Sequence, residues 1–202
     1  LVAEGLAGLH PEISGEIVID GRARPLFASP YAAIGAGLAY VPAERKRDGL
    51  VLGLPIRRNV TLMVLRSLAR LGIVDTRRES AVTDDLVHRF DVRFRGADQP
   101  VERLSGGNQQ KVLVASRIAA RPRFLILHEP TRGVDVGARV EIHRLLSGVA
   151  DEGCATLMVT SDVEEAVTVP DRLIVIRDGR IVGELTGESM TQANAISLAT
   201  EG

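Results

Sequence analysis

The sequence has no tryptophan, a single cysteine, and aromatic residues at only 3% of its 202 positions. Each shortage excludes something. Platforms that stack single-stranded bases need more rings than this chain holds. One thiol, Cys154, cannot close an internal disulfide, and this fits a reducing compartment. No apolar run reaches the ~20 residues that span a bilayer, and no signal-peptide pattern is visible. Any membrane association is therefore expected to come through a partner. Charge of one sign is also lacking: 25 Lys and Arg face 26 Asp and Glu, a net charge of −1. Without a basic field the chain is not expected to bind nucleic acid. Internal repeats and low-complexity segments are absent as well.

Hydrophobic residues make up 45% of the chain, enough for a proper core. The length suits one domain over 1–202, with a small subdomain inside it. The pattern is organised around Leu104-Ser105-Gly106-Gly107-Asn108-Gln109-Gln110-Lys111. There a loop gives way to a helical pattern that Arg121-Pro122 stops. A helix start presents unpaired N–H groups at the positive end of its dipole. Glycines let a ligand come close, and the serine adds a hydroxyl. The chemistry points to an anion, phosphate above all, although Ser105 also reads as a plain helix cap. Phe124–Leu127 reads as a buried parallel strand ending in His128-Glu129-Pro130. A helix of ~13 residues and a strand of ~6 each span roughly 20 Å, so Glu129 falls on the edge that carries the Ser-Gly-Gly loop.

Elsewhere, 1–9 reads as a short helix, and 15–21 as a strand entering an Asp-Gly hairpin turn. A helix is expected from Ser29-Pro30 to Ala36, a buried strand over 38–41, and a charged loop over 42–49. From 56 to about 94 strand signals disappear. One amphipathic helix is expected around Val60–Leu71 and a second after Thr76, together a helical subdomain over 56–100. A helix over 136–152, a buried strand over 155–160, a short helix from Val163, a hairpin around Asp178-Gly179 and a terminal helix complete the chain. Alternating strands and helices predict an α/β fold: a mostly parallel sheet flanked by helices, with an antiparallel N-terminal edge.

The stretch LSGGNQQK resembles the signature loop of ABC-type ATPases, and FLILHEP resembles their Walker B strand. TRGVDVGA and AYVPAERKRDGLV are similar to segments in the second ATPase half of bacterial sugar-import proteins. The resemblance covers nearly the whole chain and implies a P-loop NTPase-like fold. It also implies ATP and Mg²⁺ as cofactors, and a peripheral place on the cytoplasmic face of the inner membrane. The implied partners are another ATPase half, membrane permease subunits and, indirectly, a sugar-binding protein. The family's Walker A loop is absent from the chain and would lie just before Leu1, so the sequence reads as a fragment.

Carried over residue by residue, Leu104, Ser105, Gly106, Gly107, Asn108 and Gln110 match the signature loop, with Asn108 replacing the usual Gln. Glu129 matches the catalytic glutamate, and Asp135 matches the D-loop aspartate while reading equally well as a helix cap. Three positions depart. Ala43 stands at the Q-loop glutamine, His128 at the Walker B aspartate, and Ser161 at the switch histidine. Ser161 reads as an ordinary N-cap, and His128 as a hydrogen-bonded strand-end histidine rather than a metal ligand; no metal site is assigned. All three losses fall on one nucleotide pocket, whereas the signature loop serves the other. The expectation is a half that donates its loop to a partner and has a weak pocket of its own. The alternative is a non-catalytic docking or regulatory module.

Overall fold

The computed structural model describes residues 2–200. They form two compact units, one ending at Leu157 and one beginning at Met158. In the first, α1 (Val2–Leu6) is shorter than the expected 1–9. The chain turns at Gly8, whose φ of 74° puts a Cβ there 2.6 Å from the Ser29 carbonyl. Strands β1 (Glu16–Ile19) and β2 (Arg22–Pro25) form the expected hairpin. Asp20 and Gly21 both have positive φ, as a two-residue primed turn requires. Helix α2 (Pro30–Gly35) follows, with the Ser29 hydroxyl accepting from the Ala32 N–H.

Strand β3 (Leu38–Val41) leads into the charged stretch, which is not a plain loop. Arg45–Gly49 coil into one π-helical turn, closed by the Leu50 N–H donating to the Arg45 carbonyl. Such turns recur at functional sites. Gly49 is needed because a Cβ there would press to 2.8 Å from Leu113.

The expected long helix near Val60–Leu71 is broken. It consists of α3 (Ile56–Thr61), a 3₁₀ turn over Leu62–Val64, and α4 (Leu65–Leu68). Two tiny strands, β4 (Ala69–Arg70) and β5 (Ile73–Val74), then pair where no strand was expected. The Ser67 hydroxyl donates to the Val64 carbonyl and Ala69 is already extended (φ −94°, ψ 142°), which ends the helix, while Leu71 and Gly72 take positive φ in the turn between β4 and β5. Leu71 is 97% exposed, so its helical spacing does not mark a buried face. Helix α5 (Thr76–Arg89) is capped by Asp75.

Helix α6 (Gly106–Ile118) is buried along most of its length. Beside it, β6 (Phe124–His128) runs parallel to β3, in a register that sets Val41 opposite Leu127. Leu125, Ile126 and Leu127 are fully enclosed. Helix α7 (Val136–Asp151) and strand β7 (Ala155–Val159) follow, and the sheet order is β3-β6-β7. β7 was expected to be buried, yet Ala155 and Thr156 are exposed, because β7 is an edge strand among the described residues. A cavity of about 950 Å³ lies where β3 and β6 begin, lined by Ile17, Leu38, Ile118, Phe124 and Cys154 among others.

The second unit holds α8 (Val163–Thr168), the antiparallel pair β8 (Arg172–Arg177) and β9 (Arg180–Thr186), and α9 (Gln192–Thr200). Asp178 and Gly179 make its turn with positive φ.

Candidate functional site

The start of α6 is built by its own side chains. Ser105, in extended backbone, caps the helix, its oxygen accepting from the Asn108 N–H at 3.4 Å. The Asn108 side-chain amide donates to the same oxygen at 2.9 Å, and its carbonyl accepts from the Arg93 N–H at 2.7 Å. One residue on, the buried Gln109 amide donates to the Leu104 carbonyl at 3.2 Å and reaches those of Val101 and Glu102 at 3.4 Å. Leu104 is itself buried, and Gln110 is enclosed within α6. Lys111, 3% exposed, donates to the Asp91 carbonyl at 2.9 Å and to Glu141 at 2.6 Å. The loop is thus tied on one side to the end of α5 and on another to α7, while Ser105 stays exposed.

The glycines have steric reasons. A Cβ on Gly107 would come within 2.6 Å of the Ala138 methyl, so α6 and α7 meet only over a bare backbone. A Cβ on Gly106 would lie 2.9 Å from Nη2 of Arg45 and 3.3 Å from the Gly133 carbonyl.

Arg45, in the charged stretch expected as a loop over 42–49, is a further piece of this edge. It donates from Nη1 to the Arg132 carbonyl at 2.8 Å and from Nη2 to the Gly133 carbonyl at 3.1 Å. Its Nε is buried without a partner. Burial pulls its pKa below the usual arginine value, and Glu44 only partly opposes this. Glu44 pairs with Arg132 at 2.8 Å, a second tie between the π turn and the loop after β6. Only the clustering of charges in 44–48 hinted at this, because the acceptors are backbone carbonyls nearly 90 positions away.

That loop opens with Glu129, whose φ of 50° is uncommon for a side chain larger than glycine. Such outliers concentrate at functional sites and cost of order 1–3 kcal/mol. The loop closes at Asp135, which caps α7 by accepting from the Ala138 N–H at 2.9 Å. So Gly106, Arg45 and the Arg132–Gly133 stretch of the loop after β6 converge on one edge.

His128 closes β6, its Nδ1 3.1 Å from the Tyr40 hydroxyl at the end of β3. Arg117 helps to hold Tyr40 there, its Nε donating to the Tyr40 carbonyl at 2.7 Å. Burial, then the negative charges of Glu4 and Asp48, push the Tyr40 phenol up to about 12. Ala43, two positions beyond β3, offers no polar side-chain atom. Ser161 belongs to the second unit and does not cap α8. The cap is Asp162, which accepts from the Glu165 N–H at 3.1 Å.

The donors fit a phosphate: an exposed hydroxyl, a glycine-rich helix start and a guanidinium without a carboxylate on its hydrogen bonds. They do not fit a magnesium site. That ion prefers oxygen ligands, whereas β6 ends in an imidazole. Among the described residues no group of three or more His, Cys, Asp or Glu could hold a metal.

A glycine-rich helix start beside a strand-end acid, on a parallel sheet covered by helices, defines an α/β phosphate-handling domain. The ABC transporter family profile matches residues 1–132, and the chain belongs to that family. It is 40% identical over 201 residues to the ribose import ATP-binding protein RbsA 2 of Rhizobium etli, covering 98% of this chain and 39% of that protein. It is 41% identical over 199 residues to a putative ribose/galactose/methyl galactoside import ATP-binding protein 3 of Agrobacterium fabrum, covering 98% and 40%. The chain therefore spans about two fifths of the length of these curated relatives, and it matches their C-terminal half. In fold it is similar to the ATP-binding cassette MJ0796 in a dimeric post-hydrolysis state bound to ADP and Pi, with a TM-score of 0.76 at 21% identity. That match covers 92% of this chain and 78% of the other.

Proposed function

We propose that this chain is the second ATPase half of a bacterial carbohydrate importer, and that it presents Ser105, Gly106 and Gly107 to ATP held by the other half. One observation carries the reading: the Ser105–Gly107 loop is fully built and tied down, while Ala43 and His128 leave the strand-end pocket without the matching oxygen groups. The sugar-import names of the relatives supply the substrate class.

Water attacks the γ-phosphoryl group in line, and ADP and phosphate leave. Mg²⁺ carried with that nucleotide by the other half would supply charge neutralisation, and none of the described residues of this chain would hold it. This chain's part is positioning and charge: the α6 start and Ser105 face the phosphate oxygens, and Arg45 adds positive charge behind Gly106. Asp135 and the 129–135 loop line the same edge, where the other half docks. Closure of the halves drives membrane permease subunits, which contact the helical subdomain over 56–100, at the cytoplasmic face of the membrane. An external binding protein delivers the sugar to them. A second reading, a docking module without catalysis, is favoured only by His128 and Ala43.

Turnover by this chain joined to its other half tests the proposal. Ser105→Arg is expected to abolish ATP hydrolysis, whereas Glu129→Gln leaves most of it. Loss with Glu129→Gln as well would mean that this half hydrolyses ATP through its own pocket. Unchanged rates in both variants would remove the domain from the reaction and leave the docking reading.

A further inference from the structure

We infer that Asn108 is a positioning residue that aims the hydroxyl proton of Ser105 outward, making the loop a donor that accepts only an acceptor-rich ligand such as a phosphoryl group. This rests on the reading of the loop given above. The argument begins at Arg93, whose backbone N–H can only donate. It lies 2.7 Å from the Asn108 side chain, so the Asn108 carbonyl must face it. The amide group must then turn the other way, toward Ser105 Oγ at 2.9 Å. A hydroxyl oxygen has two acceptor positions. The Asn108 amide takes one and the Asn108 backbone N–H, at 3.4 Å, takes the other. The one proton of Ser105 meets no acceptor among the described residues, and Ser105 is exposed. It therefore points away from the protein. The same edge carries the Arg45 guanidinium, within 2.9 Å of where a Gly106 Cβ would be. Its polarity, like that of the loop, suits an anion.

Aspartate at 108 would reverse the arrangement. One carboxylate oxygen would still accept from Arg93, but the other would take the serine proton inward and turn oxygen lone pairs toward the ligand. Glutamine would keep the amide. The test uses the longer protein with both halves and reads its affinity for a fluorescent ATP analogue, which needs no turnover. Asn108→Asp is expected to weaken binding at least tenfold, and Asn108→Gln to stay within threefold of the parent. In a Ser105→Ala background the Asn108→Asp penalty should shrink at least fivefold, because the group it acts through is gone. The remainder is plain repulsion by an added charge. Equal penalties in the two backgrounds, or a harmless Asn108→Asp, would overturn the inference while leaving the loop's role intact. If Ser105→Ala itself left affinity unchanged, the loop reading would fall and this inference with it.

Discussion

Tyr40 shows how a single side chain carries both position and a pH signature. Its hydroxyl meets His128 across the ends of two parallel strands, and its phenol is raised from 10 to about 12. A raised folded-state pKa means that the native state holds its proton more tightly than the unfolded chain. The stabilisation is fully present below pH 10 and is lost as pH rises through 12. Two units correspond to about 2.7 kcal/mol at most; a half-exposed phenol keeps less, about 1 kcal/mol. In a Tyr31→Phe protein, where Tyr40 is the only tyrosine left, absorbance at alkaline pH should give a midpoint near 12. A midpoint near 10 would show that the phenol is not buried against Glu4 and Asp48. Residues such as Ser105, Gly106 and Glu129 were legible in the sequence because local pattern and family motif name them. Arg45 and Asn108 were not legible in this detail. The first works through carbonyls of a distant loop and the second through the backbone of Arg93, and neither contact leaves a pattern in spacing.

Among elements, α3 and α5 are joined by an ion pair that the hydrophobic pattern hides. Glu79 is 0% exposed, accepting from Arg58 at 2.9 Å and from the Thr61 hydroxyl at 3.0 Å. Deleting one partner of a fully buried pair costs about 3–5 kcal/mol. Arg58 is 40% exposed and water can reach the site it leaves, so Arg58→Ala is expected to lose about 2 kcal/mol in urea unfolding. Arg89→Ala, which breaks an exposed pair with Glu152, should lose under about 1 kcal/mol. Equal losses would contradict the burial of Glu79. Elements with strong punctuation were read correctly: the Asp-Gly hairpins, the Ser29 and Asp135 caps and the buried run of β6 each have a local cause. The region 60–74 was not, because its helical spacing runs on to Leu71, past Leu68 where the helix ends in extended backbone at Ala69. The Ser161 cap was misplaced by one residue, since Ser161 and Asp162 are both good caps and only backbone geometry chooses between them.

For the whole molecule, charge balance sets behaviour in solution. With a net charge of −1 and a pI near 6.5, the chain has little self-repulsion near neutrality. Proteins near zero net charge associate more readily. Light scattering at low salt should therefore show most association near pH 6.5 and less at pH 8.5. A flat profile would show that charge does not govern association. The parallel sheet was within reach of the alternating pattern, but its order β3-β6-β7 was not, since nothing in spacing says which strands pair. The division into two compact units was not, since no linker or change in composition marks residue 157.

Cys154 offers a practical consequence. It is the only thiol in the chain, it is half-buried, and burial together with Glu152 pushes its pKa up. Maleimide dyes attack through the thiolate, so labelling should be slow at neutral pH and give one defined product when driven at alkaline pH. A dye attached there would stand in the wall of the 950 Å³ cavity, away from Ser105 and Glu129. Within this chain Cys154 thus supplies one fluorescent reporter position away from the edge that carries Ser105.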